Sequence, residues 1–159
     1  MIILGIDPGT AIVGFGLIEK ENKSQKLKLI EYGCIKTSAK FSTAERLKII
    51  YEELSSLLKK HKPDIVAVED LFFFKNLKTA IKVSQARGVI LLAIAEKNIV
   101  VAEFTPLQIK QAVACYGRAE KLQVQKMVKT LLGLDEIPKP DDAADALAVA
   151  ICCAHSTRS

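Results

Sequence analysis

Two short apolar runs, "IILGID" at 2–7 and "DIVAVE" at 64–69, constrain this chain more than any other feature. Their apolar residues are consecutive rather than alternating, so each run reads as a strand covered on both faces. That pattern belongs to the centre of an α/β sheet. Each run also ends in an acid, Asp7 or Glu69. The carboxyl ends of such strands are where open α/β sheets build their sites, at the point where the strand order switches.

The remaining segments fall into place around these two. "IVGFGLIEK" (12–20) and "LKLIEYGCIKT" (27–37) read as strands linked by the polar stretch "ENKSQK". The first three strands therefore form an antiparallel meander. A helix follows over "FSTAERLKIIYEELSSLLKKHK". Ser42 and Glu45 form a capping box, and Leu47, Ile50, Tyr51, Leu54 and Leu58 fall on one face. A second helix runs from about Asn76 to Lys97. It is apolar nearly all round at 89–95, and Gly88 offers a place for close approach. Burial between the sheet and a second subunit is the expectation there. "IVVAEF" (99–104) is the fifth strand. "TPLQ" (105–108) is a second capping box with Pro106 at the first helical position. Helices over about 106–115 and 119–132, then a last helix over "DDAADALAVAICCAH", complete the chain.

The fourth and fifth strands each follow a helix, so right-handed crossovers make them parallel to the first. The expected fold is α/β: a mixed five-stranded sheet with helices on both faces, in one domain over residues 1–159. The longest apolar run is far short of the ~20 residues that span a bilayer. No secretory leader is legible at the start. The expectation is a soluble, cytoplasmic protein. A formal net charge of +5 mildly favours an anionic partner such as nucleic acid. Cys34, Cys115, Cys152 and Cys153 show no CxxC spacing and read as reduced packing thiols.

The chemistry rests on the acids. Asp142 and Asp145 are three apart near the start of the last helix and share a face. Singly, each acid has a plain structural account. Asp7 can serve the Pro-Gly turn, Glu69 can be a solvated strand end, and Asp141, Asp142 and Asp145 suit the positive end of a helix. Together those accounts weaken. Asp145 precedes "ALAVAICCA" and so lies near a buried side, with no lysine or arginine nearby in sequence to neutralise it. Carboxylates converging on one crevice raise each other's pKa, and a divalent cation relieves the repulsion. Oxygen-only ligands select a hard ion, Mg²⁺ or Mn²⁺. Carboxylates holding two such ions are a common apparatus for phosphodiester hydrolysis.

"GIDPGT…GFG", "VEDLFFFKN", "QARG", "QIKQAV", "GRAEKLQVQKMV" and "DDAADALAVAI" occur in that order and cover essentially the whole chain. In this it resembles the bacterial RuvC family of Holliday-junction resolvases. The resemblance implies an RNase H-like fold and a homodimer. Each subunit would nick one of two symmetric strands of four-way junction DNA with Mg²⁺, about two ions per subunit, after the RuvAB branch-migration complex has acted. It implies that Asp7, Glu69, Asp142 and Asp145 are the catalytic, metal-binding acids and leaves Asp141 unassigned. Lys121 matches a lysine that steadies the phosphate or transition state, and Lys110 a second functional lysine. Phe72 matches an aromatic that stacks on bases. Lys75 and Asn76 are candidates for the cut-site preference, which in the family is thymine-rich, or simply a basic surface turn.

The residues agree with parts of this. Three consecutive phenylalanines in "LFFFKN" cannot all enter one core, and base stacking is worth ~1–3 kcal/mol per base. Lys110, Arg118 and Lys121 fall in one basic region able to track phosphates. Three rivals differ in class. An actin- or Hsp70-like ATPase shares the opening signature but needs two such domains and a second signature that this sequence lacks. A YqgF-like nuclease shares the first motif but not "QARG" or "AEKxQVQ". A non-catalytic junction-binding module has no use for the full acid set.

Overall fold

The computed structural model describes residues 1–21, 24–70 and 77–157. Their order is β1 (Ile2–Asp7), β2 (Ile12–Lys20), β3 (Leu27–Lys36), α1 (Thr43–His61), β4 (Ile65–Glu69), α2 (Leu77–Ala95), β5 (Val100–Phe104), α3 (Pro106–Ala114), α4 (Lys121–Leu132) and α5 (Asp141–Ser156). The strands form one sheet in the order β3-β2-β1-β4-β5. β1, β2 and β3 pair antiparallel, while β4 lies parallel to β1 and β5 parallel to β4. This is the mixed sheet expected from the crossover rule, with β1 at its centre.

Local chemistry starts the helices where the sequence signals them. Ser42 and Glu45 close a capping box at α1, and Thr105 and Gln108 close one at α3, ahead of Pro106. Each face of the sheet carries a core. Leu4, Ile6, Val13, Leu17, Val66 and Val68 meet α1 and α2. On the other face Ile3, Ile18 and Ala67 meet α3, α4 and α5.

The helix α5 packs close against the sheet because glycine clears its path. A Cβ built on Gly5 of β1 would stand 2.1 Å from the Ala146 carbonyl oxygen and 2.6 Å from the Ala150 nitrogen. At Gly14 of β2 it would stand 2.0 Å from the Asp142 carbonyl oxygen. Any other residue there would lift the helix. Eleven residues of α5, from Ala143 to Ala154, are buried. Its last turn is held by Lys20, a buried lysine whose Nζ donates to the Ala154 and Thr157 carbonyl oxygens, both at 2.8 Å. A cation at that end also complements the helix dipole.

Among the described residues, no heavy atom comes within 4 Å of the Gly88 Cβ position, which leaves that side of α2 open to a second subunit. Only one side of α2, at Ala86, Ile90, Ala93 and Ile94, meets the sheet. The packing role fits Cys152 and Cys153, whose burial pushes both thiols up to about 11. It does not fit Cys115, which is exposed and ends α3 in a left-handed conformation. All four thiols are free.

Candidate active site

Strand parity aims the first two acids. Side chains alternate across a strand, so Asp7 points to the same face as Ile3 and Gly5, the α5 face. On β4, Ile65 and Ala67 belong to that face, and Glu69 continues the series. Ile6 stands beside Val68 in the parallel register, so Asp7 and Glu69 are neighbours one residue further on. A side-chain hydrogen bond links them.

The other two acids come from the first turns of α5. Gly14 pairs with Asp7 across β1 and β2. Because the Asp142 backbone rests on Gly14, that helix start is delivered next to Asp7. One helical turn brings Asp145 to the same crevice. The four acids thus gather at one end of the sheet from three elements.

Their electrostatics follow from crowding and burial. Asp7 is pushed up to about 8, first by burial, then by the charges of Glu69 and Asp145, the Glu69 hydrogen bond and Asp142. Burial also raises Glu69, and the nearby charge of Asp145 adds to this. Asp145 is raised by burial as well, against the pull of Lys121. Lys121 Nζ lies 2.8 Å from Asp145 Oδ2 and 3.5 Å from Asp141 Oδ2. Burial pulls Lys121 down, but Asp145 and Asp141 outweigh it and hold its ammonium above the ordinary lysine range.

Beside the acids opens a cavity of about 250 Å³. Glu69, Asp145, Lys110 and Lys121 line it together with the apolar Ile109 and Val124. Acids and cations therefore share one cleft, the pairing needed to hold a phosphate diester beside a charged reaction centre. Among the described residues, no three His, Cys, Asp or Glu side chains already stand as a metal cage. Two internal pairings, Asp7 with Glu69 and Asp145 with Lys121, occupy the acids instead. The donor set still fits a hard divalent cation: it is all oxygen, and its carboxylates are crowded enough to raise one another's pKa, a repulsion that a cation relieves.

Asp7, Glu69, Asp142 and Asp145 are all brought to this end of the sheet, and Lys110 and Lys121 join them. Arg118 is exposed between α3 and α4 and does not line the cleft. Phe72, Lys75 and Asn76 lie outside the described residues. No cation close in sequence neutralises Asp145, because its partner, Lys121, arrives from a different helix. Asp141, left unassigned, joins the same ion pair, and its signal was visible as a spacing of one helical turn from Asp145.

The family model for the crossover junction endodeoxyribonuclease RuvC matches residues 3–153. The chain is 58% identical over 158 residues to the crossover junction endodeoxyribonuclease RuvC of Halothermothrix orenii, covering 99% of this chain and 94% of that one. It is 60% identical over 156 residues to the one from Desulfitobacterium hafniense, covering 98% and 93%. Among solved structures it is similar to T. thermophilus RuvC in complex with a Holliday junction substrate. The TM-score is 0.89 at 36% identity, covering 98% of this chain and 94% of that one.

Proposed function

The chain belongs to the RuvC family of crossover junction endodeoxyribonucleases, and from that membership we propose that it resolves Holliday junctions at the cleft between Glu69 and Lys121. It is a nuclease with an RNase H-like fold. The observation that carries the site assignment is the gathering of Asp7, Glu69, Asp142 and Asp145 at one sheet end, with Lys110 and Lys121 across the same cleft.

The four acids would hold Mg²⁺, two ions per subunit, with Mn²⁺ able to substitute. When bound, the ions supply an activated water and charge to offset that developing on the phosphate. The protein's own groups do the rest. The Asp7 carboxyl, whose proton burial holds to unusually high pH, would have to be deprotonated to serve as one of the metal ligands. Asp145, paired with Lys121 here, would be shared with the metal, and the Lys121 ammonium would then be available to a phosphate oxygen. Lys110 holds the strand from the other wall. The apolar side chains Ile109 and Val124 keep water from the back of the cleft, which strengthens these interactions.

Symmetric nicking of a junction calls for two such sites. Leu77, Ile81 and Leu92 are 75%, 52% and 55% exposed and, with Gly88, form one stripe along α2. A second copy of the chain covering that stripe makes the homodimer. The RuvAB branch-migration complex is the assembly that would supply junctions to it. No described helix is long and apolar enough to cross a membrane, in keeping with action in the cytoplasm on DNA.

The test is cleavage of a synthetic four-way junction with and without Mg²⁺, mapping the nicks. Paired symmetric nicks that need the metal are expected, and a wild-type chain that binds the junction but never cuts it would overturn the assignment. Lys121→Ala sharpens it. Single-turnover cleavage should slow by about 10²-fold, as for loss of one preorganised charge, while junction affinity changes far less. An equal loss in both would make Lys121 a binding residue only.

A further inference from the structure

A second cavity, of about 360 Å³, opens at the same end of the sheet. It is framed by the β1–β2 turn, Arg46 of α1, Lys82 of α2 and Asp142. α1 and α2 cover the sheet face opposite α3, α4 and α5. The acids therefore stand between two basic clefts, one with Lys110 and Lys121 and the other with Arg46 and Lys82.

Arg46 is held in place. Its Nε donates to Thr37 Oγ1 at 2.8 Å, and that hydroxyl donates to the Thr10 carbonyl in the turn. The bond uses one edge of the guanidinium. Among the described residues neither Arg46 nor Lys82 has a carboxylate partner. Thr10 also lines the cavity, and its buried hydroxyl finds no hydrogen-bond partner among the described residues. A fixed guanidinium, a flexible ammonium and an unsatisfied hydroxyl stand around one hollow, with Asp142 as the one carboxylate in its lining. The ligand that supplies acceptors and negative charge together is a phosphate.

Resting on the resolvase activity argued above, we propose that Arg46 and Lys82 bind a backbone phosphate of the cleaved strand on the far side of the acids from Lys110 and Lys121. The strand is then gripped on both sides of the scissile bond. Two-sided grip fixes its direction across the acids, which one-sided grip cannot do.

Junction affinity of the full chain is measured against salt in EDTA for wild type, Lys82→Ala, Arg46→Ala, Arg46→Lys and Lys129→Ala. Each of the first two variants should flatten log K against log[salt] by about 0.7–0.9, one phosphate contact. Arg46→Lys keeps the charge and should keep the slope. Lys82 is exposed on α2, so its alanine variant leaves the fold intact. A methylphosphonate is then walked along the cleaved strand. One position should weaken wild type but not the Arg46→Ala, Lys82→Ala double variant. Unchanged slopes, the same flattening in Lys129→Ala, or no such position would overturn the proposal. Wild-type nicking of the same junction separates the cases: if it fails, the resolvase assignment falls, and if it succeeds while the slopes match, only the second phosphate site falls.

Discussion

Asp7→Asn is expected to abolish junction nicking and, in the same protein, to raise the stability of the metal-free fold. The loss of activity should be on the order of 10³-fold or more, because a neutral amide at the centre of the acid cluster neither attracts a divalent cation nor offsets charge in the transition state. Junction affinity in EDTA should be unchanged or slightly tighter, since a negative charge near the DNA backbone is gone.

The gain in stability follows from the sign of the pKa shift. The folded protein holds the Asp7 proton to about pH 8, while the unfolded chain loses it near 3.8. Between those values the native state binds more protons than the unfolded one, so stability falls as pH rises. The cause is burial first, then the Glu69 and Asp145 charges, and an amide feels neither as an ion does. In EDTA, urea midpoints of wild type and Asp7→Asn should lie close together near pH 4. They should separate steadily toward pH 8, with the variant the more stable. Added Mg²⁺ should restore wild type and leave the variant unmoved. Parallel pH curves for the two proteins would show that Asp7 carries no such burden.

Gly5→Ala should destabilise the fold by about 3 kcal/mol or more, the upper part of the range for overpacking. The new methyl would meet the Ala146 carbonyl oxygen at 2.1 Å and the Ala150 nitrogen at 2.6 Å. Both are main-chain atoms of α5, so no side chain can turn away to relieve the clash. The helix must lift, and Asp142 and Asp145 lift with it. Cleavage should therefore fall further than the residual stability accounts for. The urea midpoint and the single-turnover rate measured under folded conditions check the two effects separately. A loss of stability below ~0.5 kcal/mol, the range of an inconsequential surface change, would mean that α5 does not rest on β1 as described.

Much of this was legible beforehand because it depends on neighbours a few residues apart. Consecutive apolar positions marked β1 and β4 as central. The capping boxes at Ser42 and Thr105 need only a residue and its third successor, and both are present. Asp7 and Glu69 stood out because an acid at the end of a buried strand calls for a reason. Cys115 misled because the end of α3 leaves it exposed in solvent.

By itself, then, the order of residues determined the elements, the parity that turns Asp7 and Glu69 to one face, and the four acids worth watching. Only the tertiary structure decided that Lys121 neutralises Asp145, that Gly5 and Gly14 seat α5 against the sheet, and that Arg46 and Lys82 share a hollow beside Asp142. Local conformation is set by contacts within a turn or two of the chain. Charge pairing and close approach are set by packing between segments far apart in it, and no spacing along the chain encodes those distances.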